Sequence, residues 1–421
     1  MKKILEIFQT ITSIPHCSFK TEKLKEYLID ECKRLGADVK VDSVGNILAT
    51  KGDPKLCLQS HYDMVCVGKA PDIQITEDEG YLRANNSSLG ADNGIGVAMM
   101  LYLLEKKDNL ELLFTNDEEV GLIGANGLEL SISAKYLLNL DSEEEGAICL
   151  GCAGGVDVFA SKKFFYKEID SREFNTYELK TVGFIGGHSG VDIDKNIKNA
   201  ISELAFFMKK GDCKIVDING GEAGNAIPKS VKATVITDKR LENSEYVKVK
   251  KVEKKCEILD VSDELLDFLV SFPSGVRSYD KSLNLVQTSI NLATIKCEDN
   301  TIMIEISPRA MSEDDMQRLL LQTRVYLESF GFSVEEKNPY PSWKPFIGEF
   351  AQKVQSVSKK YFDNSNFYAI HAGLECGVIL SKNPHLEAVS IGPNIYYPHS
   401  TREKVEIKSI EKTLKLLEEL V

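Results

Sequence analysis

Histidines and carboxylates recur in this 421-residue chain just beyond short apolar runs. His61–Tyr62–Asp63 follows Lys55–Gln59, and Asp117–Glu118–Glu119 follows Glu111–Phe114. Asp141 follows Tyr136–Leu140, and His399 comes a few residues after Glu387–Ile391. Asp92 lies in the glycine-rich stretch from Gly90 to Gly96, which opens a helical pattern over Val97–Glu105. If the apolar runs are strands, their carboxyl ends converge on one edge of an open α/β sheet, where such sheets bind ligands. Imidazole nitrogen and carboxylate oxygen suit zinc, and a catalytic zinc site keeps one position open for water. Asp92, Glu119 and Asp141 bring three negative charges; a bridging hydroxide brings a fourth, which balances two divalent cations. Two metals roughly 3.5–4 Å apart share one carboxylate and polarise both a water and the group it attacks. Asp92 is the natural bridge. Of the adjacent Glu118 and Glu119, one can bind metal while the other serves as general base. Asp63 can hold the second nitrogen of His61 and fix its tautomer.

Simpler roles compete at each position. A histidine at a strand end can be hydrogen-bonded and nothing more, and aspartate is a good helix N-cap. Capping alone does not account for GADNGIG around Asp92. The run Glu143–Glu144–Glu145 reads as solvated surface. His16 and His385 read as structural or surface residues, and Trp343, the single tryptophan, as packing where the chain re-enters the first domain.

The elements that position these groups fall into two textures. Up to about residue 160, short strands (among them Asp38–Val41) alternate with helices, as in an α/β sheet. From Tyr177 the order is strand Tyr177–Phe184, helix Asn196–Lys210 and strands near Lys214–Ile218 and Val231–Thr237. Helix Asp263–Phe272, a hairpin of Leu285–Cys297 with Thr301–Ile306, helix Glu313–Ser329 and strand Phe332–Glu336 follow. That block reads as an α+β domain with helices on a mainly antiparallel sheet. After Asn338–Pro339–Tyr340–Pro341, helix Ile347–Tyr361 and strand Glu387–Ile391 return to the first texture. Residues 1–175 and 339–421 are therefore expected to form one domain, a mixed sheet flanked by helices, with 176–338 inserted.

Composition limits the partners. Apolar residues are 43% of the chain, charged residues 27%, and the formal net charge is −13. That balance speaks against nucleic acid, whose phosphates are bound by clustered Lys and Arg. No run is long enough to cross a membrane, and the N-terminal Ile4, Leu5, Phe8 and Ile11 have the spacing of an amphipathic helix, not a signal peptide. The ten scattered cysteines are expected to be reduced thiols in a cytoplasmic protein, and Cys149-Leu150-Gly151-Cys152 to be structural.

The blocks HYDMV, GADNGIGVA, NDEEVGLIGA, NLDSEEEG, GGHSGVDI, GNAIP, HAGLECG and IGPNIYYPHSTREKV resemble the bacterial aminoacyl-histidine dipeptidases. These carnosine-cleaving enzymes sit within the aminoacylase and carboxypeptidase-G-like two-zinc metallopeptidases, and the match runs from about residue 10 to the end. The resemblance implies hydrolysis of dipeptides of Xaa-His type, two Zn²⁺ (with Mn²⁺ or Co²⁺ as possible substitutes), and an inserted lid that also forms a homodimer. It implies that His61 and Asp141 ligate one zinc, Glu119 and His399 the other, and that Asp92 bridges. Glu118 becomes the general base and Asp63 the residue orienting His61. His188 in GGHSG is implied to stabilise the oxyanion, in its own subunit or across a dimer, although that segment also reads as a tight turn. Asn225, Arg309 and His371 are implied to bind substrate, with Arg309 as a clamp on the terminal carboxylate. Their plain alternatives are loop satisfaction, an ion pair and a buried structural histidine. Ser60 replaces a common glycine, and HSTRE replaces an HSPDE-like stretch, departures that bear on specificity. Sister activities on the same site are an aminotripeptidase or an N-acyl amino acid deacylase. A non-catalytic metal-binding assembly protein is the alternative of another class.

Overall fold

The computed structural model describes residues 1–170, 174–281 and 284–421. The chain divides into two compact units, one of Met1–Cys152, Trp343–Ala369 and Leu374–Val421, the other of Ala153–Ser342 and Ile370–Gly373.

The first unit is built on a mixed sheet. Its order is Asp38–Val41, Ile47–Lys51, Leu110–Thr115, Leu56–His61, Tyr136–Asn139, Glu387–Ser390, Ile148–Cys152 and Phe367–Ile370. Leu110–Thr115 and Leu56–His61 are buried along their whole length, which is why they read as continuous apolar runs and not as alternating ones. Parallel register sets Gln59 beside Leu113 on one side and Asn139 on the other, so the three strands finish in line. Glu387–Ser390 runs parallel on the far side of Tyr136–Asn139. Four loops therefore leave the same edge.

Helices supply the cover. Ile4, Phe8 and Ile11 of helix Lys2–Ser13 are buried at helical spacing. Helix Ala91–Lys106 is buried on nearly every side, and Gly94 lets Phe8 approach it, since a Cβ there would stand 3.1 Å from the ring. The helix starts earlier than its apolar pattern suggests because the glycine-rich stretch is itself the first turn. Asp92 (φ −83°, ψ 104°) and Asn93 (φ −113°, ψ 26°) break helical geometry inside that turn.

The second unit holds an antiparallel sheet in the order Val247–Lys251, Asn175–Thr181, Val231–Thr237, Lys214–Gly220, Leu285–Glu298, Thr301–Ala310, Gly154–Lys163 and Ser333–Tyr340, with Gly275–Asp280 also paired to Leu285–Glu298. Helices Ala200–Lys210, Ser262–Ser271 and Glu313–Ser329 bury Leu204, Phe268 and Leu327 in its core. Asn199 caps the first of these by accepting from Ile201 and Ser202 amides, at 3.0 and 3.3 Å. The cap places the helix start at Ala200 instead of Asn196.

Three expectations are corrected. The units part at 152/153 and 342/343, not at 175/176 and 338/339. Strand Gly154–Lys163 pairs with Thr301–Ala310 and Ser333–Tyr340, and an apolar strand carries no mark of the sheet it will join. His371, expected in the domain of residues 1–175 and 339–421, is grouped with the second unit. The cysteines are not all reduced thiols: Cys17 and Cys66 form a disulfide with Cα atoms 5.5 Å apart. Backbone bonds from Met64 N to His16 O (3.1 Å) and Ser18 N to Met64 O (3.2 Å) lay the two segments side by side, a pairing invisible at a separation of 49 residues. Among the described residues no helix is long and apolar enough to cross a membrane.

Gly96 is the tightest joint in the first turn, because an added Cβ collides with the side chains of Asn93 and Ser60. Gly96→Ala is expected to destabilise the protein by about 1–3 kcal/mol, read as a lower urea midpoint with unchanged slope. An unchanged midpoint would contradict this packing.

Candidate functional site

At the edge of the first sheet, one carboxylate faces two histidines. Asp92 Oδ1 lies 3.2 Å from His61 Nε2, and Asp92 Oδ2 lies 3.2 Å from His399 Nε2. Asp141 Oδ1 is 3.3 Å from His61 Nε2, and Glu119 Oε2 is 2.8 Å from His399 Nε2. Among the described residues three overlapping groups of donors result, His61 with Asp92 and Asp141, His399 with Asp92 and Glu119, and His61 with Glu118 and Glu119, the ligand atoms in each lying within 4.8 Å of one another. The structure thus brings together the five residues expected to ligate metal, four at or beyond strand ends and Asp92 from the glycine-rich stretch.

The supports are local and specific. His61 ends its strand, and its Nδ1 meets the Asp63 carbonyl at 3.0 Å and the Asp63 carboxylate at 3.5 Å. Asp63 does more than orient His61: its carboxylate accepts from the amides of Glu118 (2.9 Å) and Glu119 (3.4 Å) and from Ser18 Oγ (2.8 Å). It therefore sets the turn that presents both glutamates. Asn93 donates to the Leu140 carbonyl at 3.0 Å and to the Asp141 carboxylate. His399 holds a left-handed backbone, φ 56°, a conformation that a non-glycine residue keeps only when its surroundings enforce it.

Electrostatics explain what the cluster needs. Burial favours a neutral His61, but the charges and hydrogen bonds of Asp141, Asp63 and Asp92 outweigh it and hold the imidazole charged well above the ordinary range. Hydrogen bonds to Asp92 and Glu119 lift His399 to about 11. Burial alone would raise Asp92, yet bonding to both imidazoles holds it below the usual carboxylate range. Glu118 goes the other way: burial first, then the negative charges of Asp141, Glu375 and Glu119, push its carboxyl well up. In the metal-free protein, protons on the histidines offset the crowded carboxylates. Glu119 Oε1 is buried without a hydrogen-bond partner, and the two oxygens of Asp92 are divided between two histidine–carboxylate pairs. This donor set fits two cations that share Asp92.

Other residues were overlooked in the sequence. Glu143 is exposed, as expected of its run, although desolvation and then the charges of Asp92 and Asp141 raise its carboxyl to about 8. Glu375 lies in the HAGLECG block, yet only His371 drew attention there. It is buried, accepts from Gln59 Nε2 (2.6 Å) and Thr115 Oγ1 (2.8 Å), and is lifted to about 7, chiefly by burial and then by Asp141. Glu403, in the PHSTREKV block, is buried against the loop that carries Asp92.

The remaining candidates cluster within the second unit. Gly187–His188 pairs with Ala226–Ile227, and the Asn225 carbonyl accepts from Ser189 N at 2.8 Å. His188 Nδ1 accepts from the amides of Gly190 and Val191, at 3.1 and 3.2 Å. Burial and then the Arg309 charge lower His188 to about 4, so it is neutral with its proton on Nε2. His371 Nε2 meets Ser289 Oγ at 2.8 Å, and burial with Arg309 lowers it to about 3. Arg309 is only 7% exposed. It bonds to Tyr340 Oη and, at 3.4 Å, to Ser189 Oγ, and its Nε is unpartnered. No ion pair among the described residues gives Arg309 a carboxylate, the alternative weighed for it in the sequence.

Protons and metal compete for the same nitrogens. The raised imidazole values of His61 and His399 stabilise the metal-free fold fully below 6.5, and for His399 that contribution fades as pH climbs toward about 11. Zinc loading near pH 7 should therefore release about two protons, and apparent affinity should rise with pH. Calorimetry in buffers of different ionisation enthalpy measures the release, and a value near zero would contradict the charged imidazoles.

Known proteins with these features extend over the whole chain. The cytosol non-specific dipeptidase of Escherichia coli (strain K12) is 35% identical, with 99% of this chain and 96% of that protein aligned. The crystal structure of an aminoacylhistidine dipeptidase from Vibrio alginolyticus superposes with a TM-score of 0.85 at 30% identity, covering 99% of this chain and 96% of its own. Human carnosine dipeptidase 1, at 14% identity and a TM-score of 0.57, covers 100% of this chain and 96% of its own and shares the fold. Residues 57–421 match the peptidase family M20/M25/M40, and the chain belongs to that family.

Proposed function

We propose that this protein is a metal-dependent dipeptidase that hydrolyses short peptides, Xaa-His dipeptides among them, with two zinc ions. The carrying observation is Asp92, each of whose carboxylate oxygens faces a different histidine. His61 and Asp141 would hold one ion, His399 and Glu119 the other, and Asp92 both. When bound, such ions polarise the scissile carbonyl and acidify water. The Escherichia coli and Vibrio alginolyticus relatives, dipeptidases by name, support a dipeptide substrate.

This chain's own residues supply the proton traffic. Glu118, half-buried beside the cluster with a carboxylate oxygen within 4.8 Å of a His61 nitrogen, is the general base. It takes a proton from the attacking water and returns it to the leaving amine. Asp63 keeps Glu118 in place through the amide bond at 2.9 Å. His188, neutral with its proton on Nε2, donates to the oxyanion. Arg309, a buried cation with no acidic partner among the described residues, binds the substrate's terminal carboxylate, and a bidentate guanidinium suits that group. Asn225 and His371 line the same binding region. We further propose that the second unit serves as lid and homodimer interface. The cytosolic location in the Escherichia coli relative's name supports placing this protein in the cytoplasm.

Hydrolysis of β-Ala-His, Gly-His, Leu-Gly, an N-acetyl amino acid, a tripeptide and a C-terminally amidated dipeptide, after chelation and with Zn²⁺, Mn²⁺ or Co²⁺ restored, tests the reading. Metal-dependent cleavage of free dipeptides is expected, with the amidated compound turned over at least tenfold more slowly. Preference for the tripeptide or the acetyl compound would move the activity to a sister reaction, and no turnover by metal-loaded protein would overturn it. Glu118→Gln should retain both metals and lose about 10²–10⁴ in kcat. Near-normal kcat with metal bound would remove Glu118 from the mechanism.

A further inference from the structure

Glu403 is 3% exposed, yet its carboxylate meets no cation in any ion pair among the described residues. It is bound instead by four consecutive backbone amides. Oε2 accepts from Leu89 N (2.7 Å) and Gly90 N (3.1 Å), and Oε1 from Ala91 N (2.8 Å) and Asp92 N (3.3 Å). The chain wraps around the carboxylate at this point, with Gly90 at φ 70°. A Cβ at Gly90 would stand 3.0 Å from Met64 Sδ, so the loop is pressed between Glu403 and the strand-end segment beyond His61. The last two amides lie at the kink where Asp92 and Asn93 depart from helical geometry.

Glu403 also sits four residues beyond His399 in the same loop, and its own amide bonds to the Ser400 carbonyl at 3.1 Å. One carboxylate thus ties the loop bearing Asp92 to the loop bearing His399, residues 307 apart in sequence. We infer that Glu403 is a positioning residue for the metal bridge: it fixes the backbone of Asp92 so that the two carboxylate oxygens face His61 and His399 at once. This rests on the two-metal reading above. A small rotation of Leu89–Asp92 would leave Asp92 serving one group of donors and not both. Glu403 acts through hydrogen bonds to backbone alone, so what its loss disturbs is aim, and the second cation suffers before the first.

Glutamine at 403 keeps the shape but turns one acceptor into a donor facing amide donors, leaving at least one pair of N–H groups unmatched. Aspartate keeps the charge and is one methylene short. The test is zinc titration of chelated wild type, Glu403→Gln and Glu403→Asp against a chromophoric chelator, with the Tm of each metal-free protein recorded. Wild type should bind two zinc ions. Glu403→Gln should bind the first nearly as wild type does and the second about 10- to 100-fold more weakly, the range for lost supports of metal ligands. Glu403→Asp should fall between, and it carries the test if the glutamine variant does not fold. Two zinc ions bound by the folded variants with wild-type affinity would overturn the inference, even with a lowered Tm, since Glu403 would then be merely structural. Fewer than two zinc ions on wild type would instead overturn the two-metal reading.

Discussion

Like charges held together at a sheet edge govern this structure. Asp92, Glu119 and Asp141 converge where burial disfavours each of them, and Coulomb repulsion between carboxylates grows as water is excluded. Such a cluster persists only with compensating positive charge. Two imidazoles provide some of it as protons, and divalent cations provide it more fully. Much of the surrounding architecture serves this one demand. Three strands finish in register so that their loops can bring acids to a common point, and Asp63 and Asn93 hold those acids by hydrogen bonds.

The second unit presents the complementary case. Arg309 is a buried positive charge that its own unit does not neutralise, and its field helps keep His188 and His371 uncharged. A buried lone charge is expensive, and a fold keeps one where a ligand of opposite sign completes it. A peptide's carboxylate is such a ligand. Acidic cluster and lone guanidinium are thus each incomplete in themselves, in opposite senses.

The sequence made the metal-ligand candidates legible because fully buried parallel strands leave continuous apolar runs, and the ligands lie directly beyond them. His61 ends such a run, and Asp141 follows another by two residues. Helix Glu313–Ser329 was legible to the residue, since Ser312 and three acids mark its start. Less was visible where the partner is distant or is backbone. Glu403 binds amides more than 300 residues away, and no side-chain pattern encodes an amide. The fate of Gly154–Lys163 and the joining of Cys17 to Cys66 were hidden for the same reason, both being choices made by tertiary contact.

Strand order carries a further consequence. Glu387–Ser390 lies between Tyr136–Asn139 and Ile148–Cys152 in the first sheet, although its first residue comes 248 positions after Asn139 and 235 after Cys152. A ribosome therefore delivers the interior of this sheet last. The second unit is almost wholly continuous in sequence and can close as it emerges, while the first sheet waits with a gap in its middle. Contacts of such long range are slow to form, since the loop must close before they contribute. His399 arrives with that late strand. Completion of the sheet and of the second donor group are one event, so a nascent chain gains its full charge compensation only once the gap has been filled.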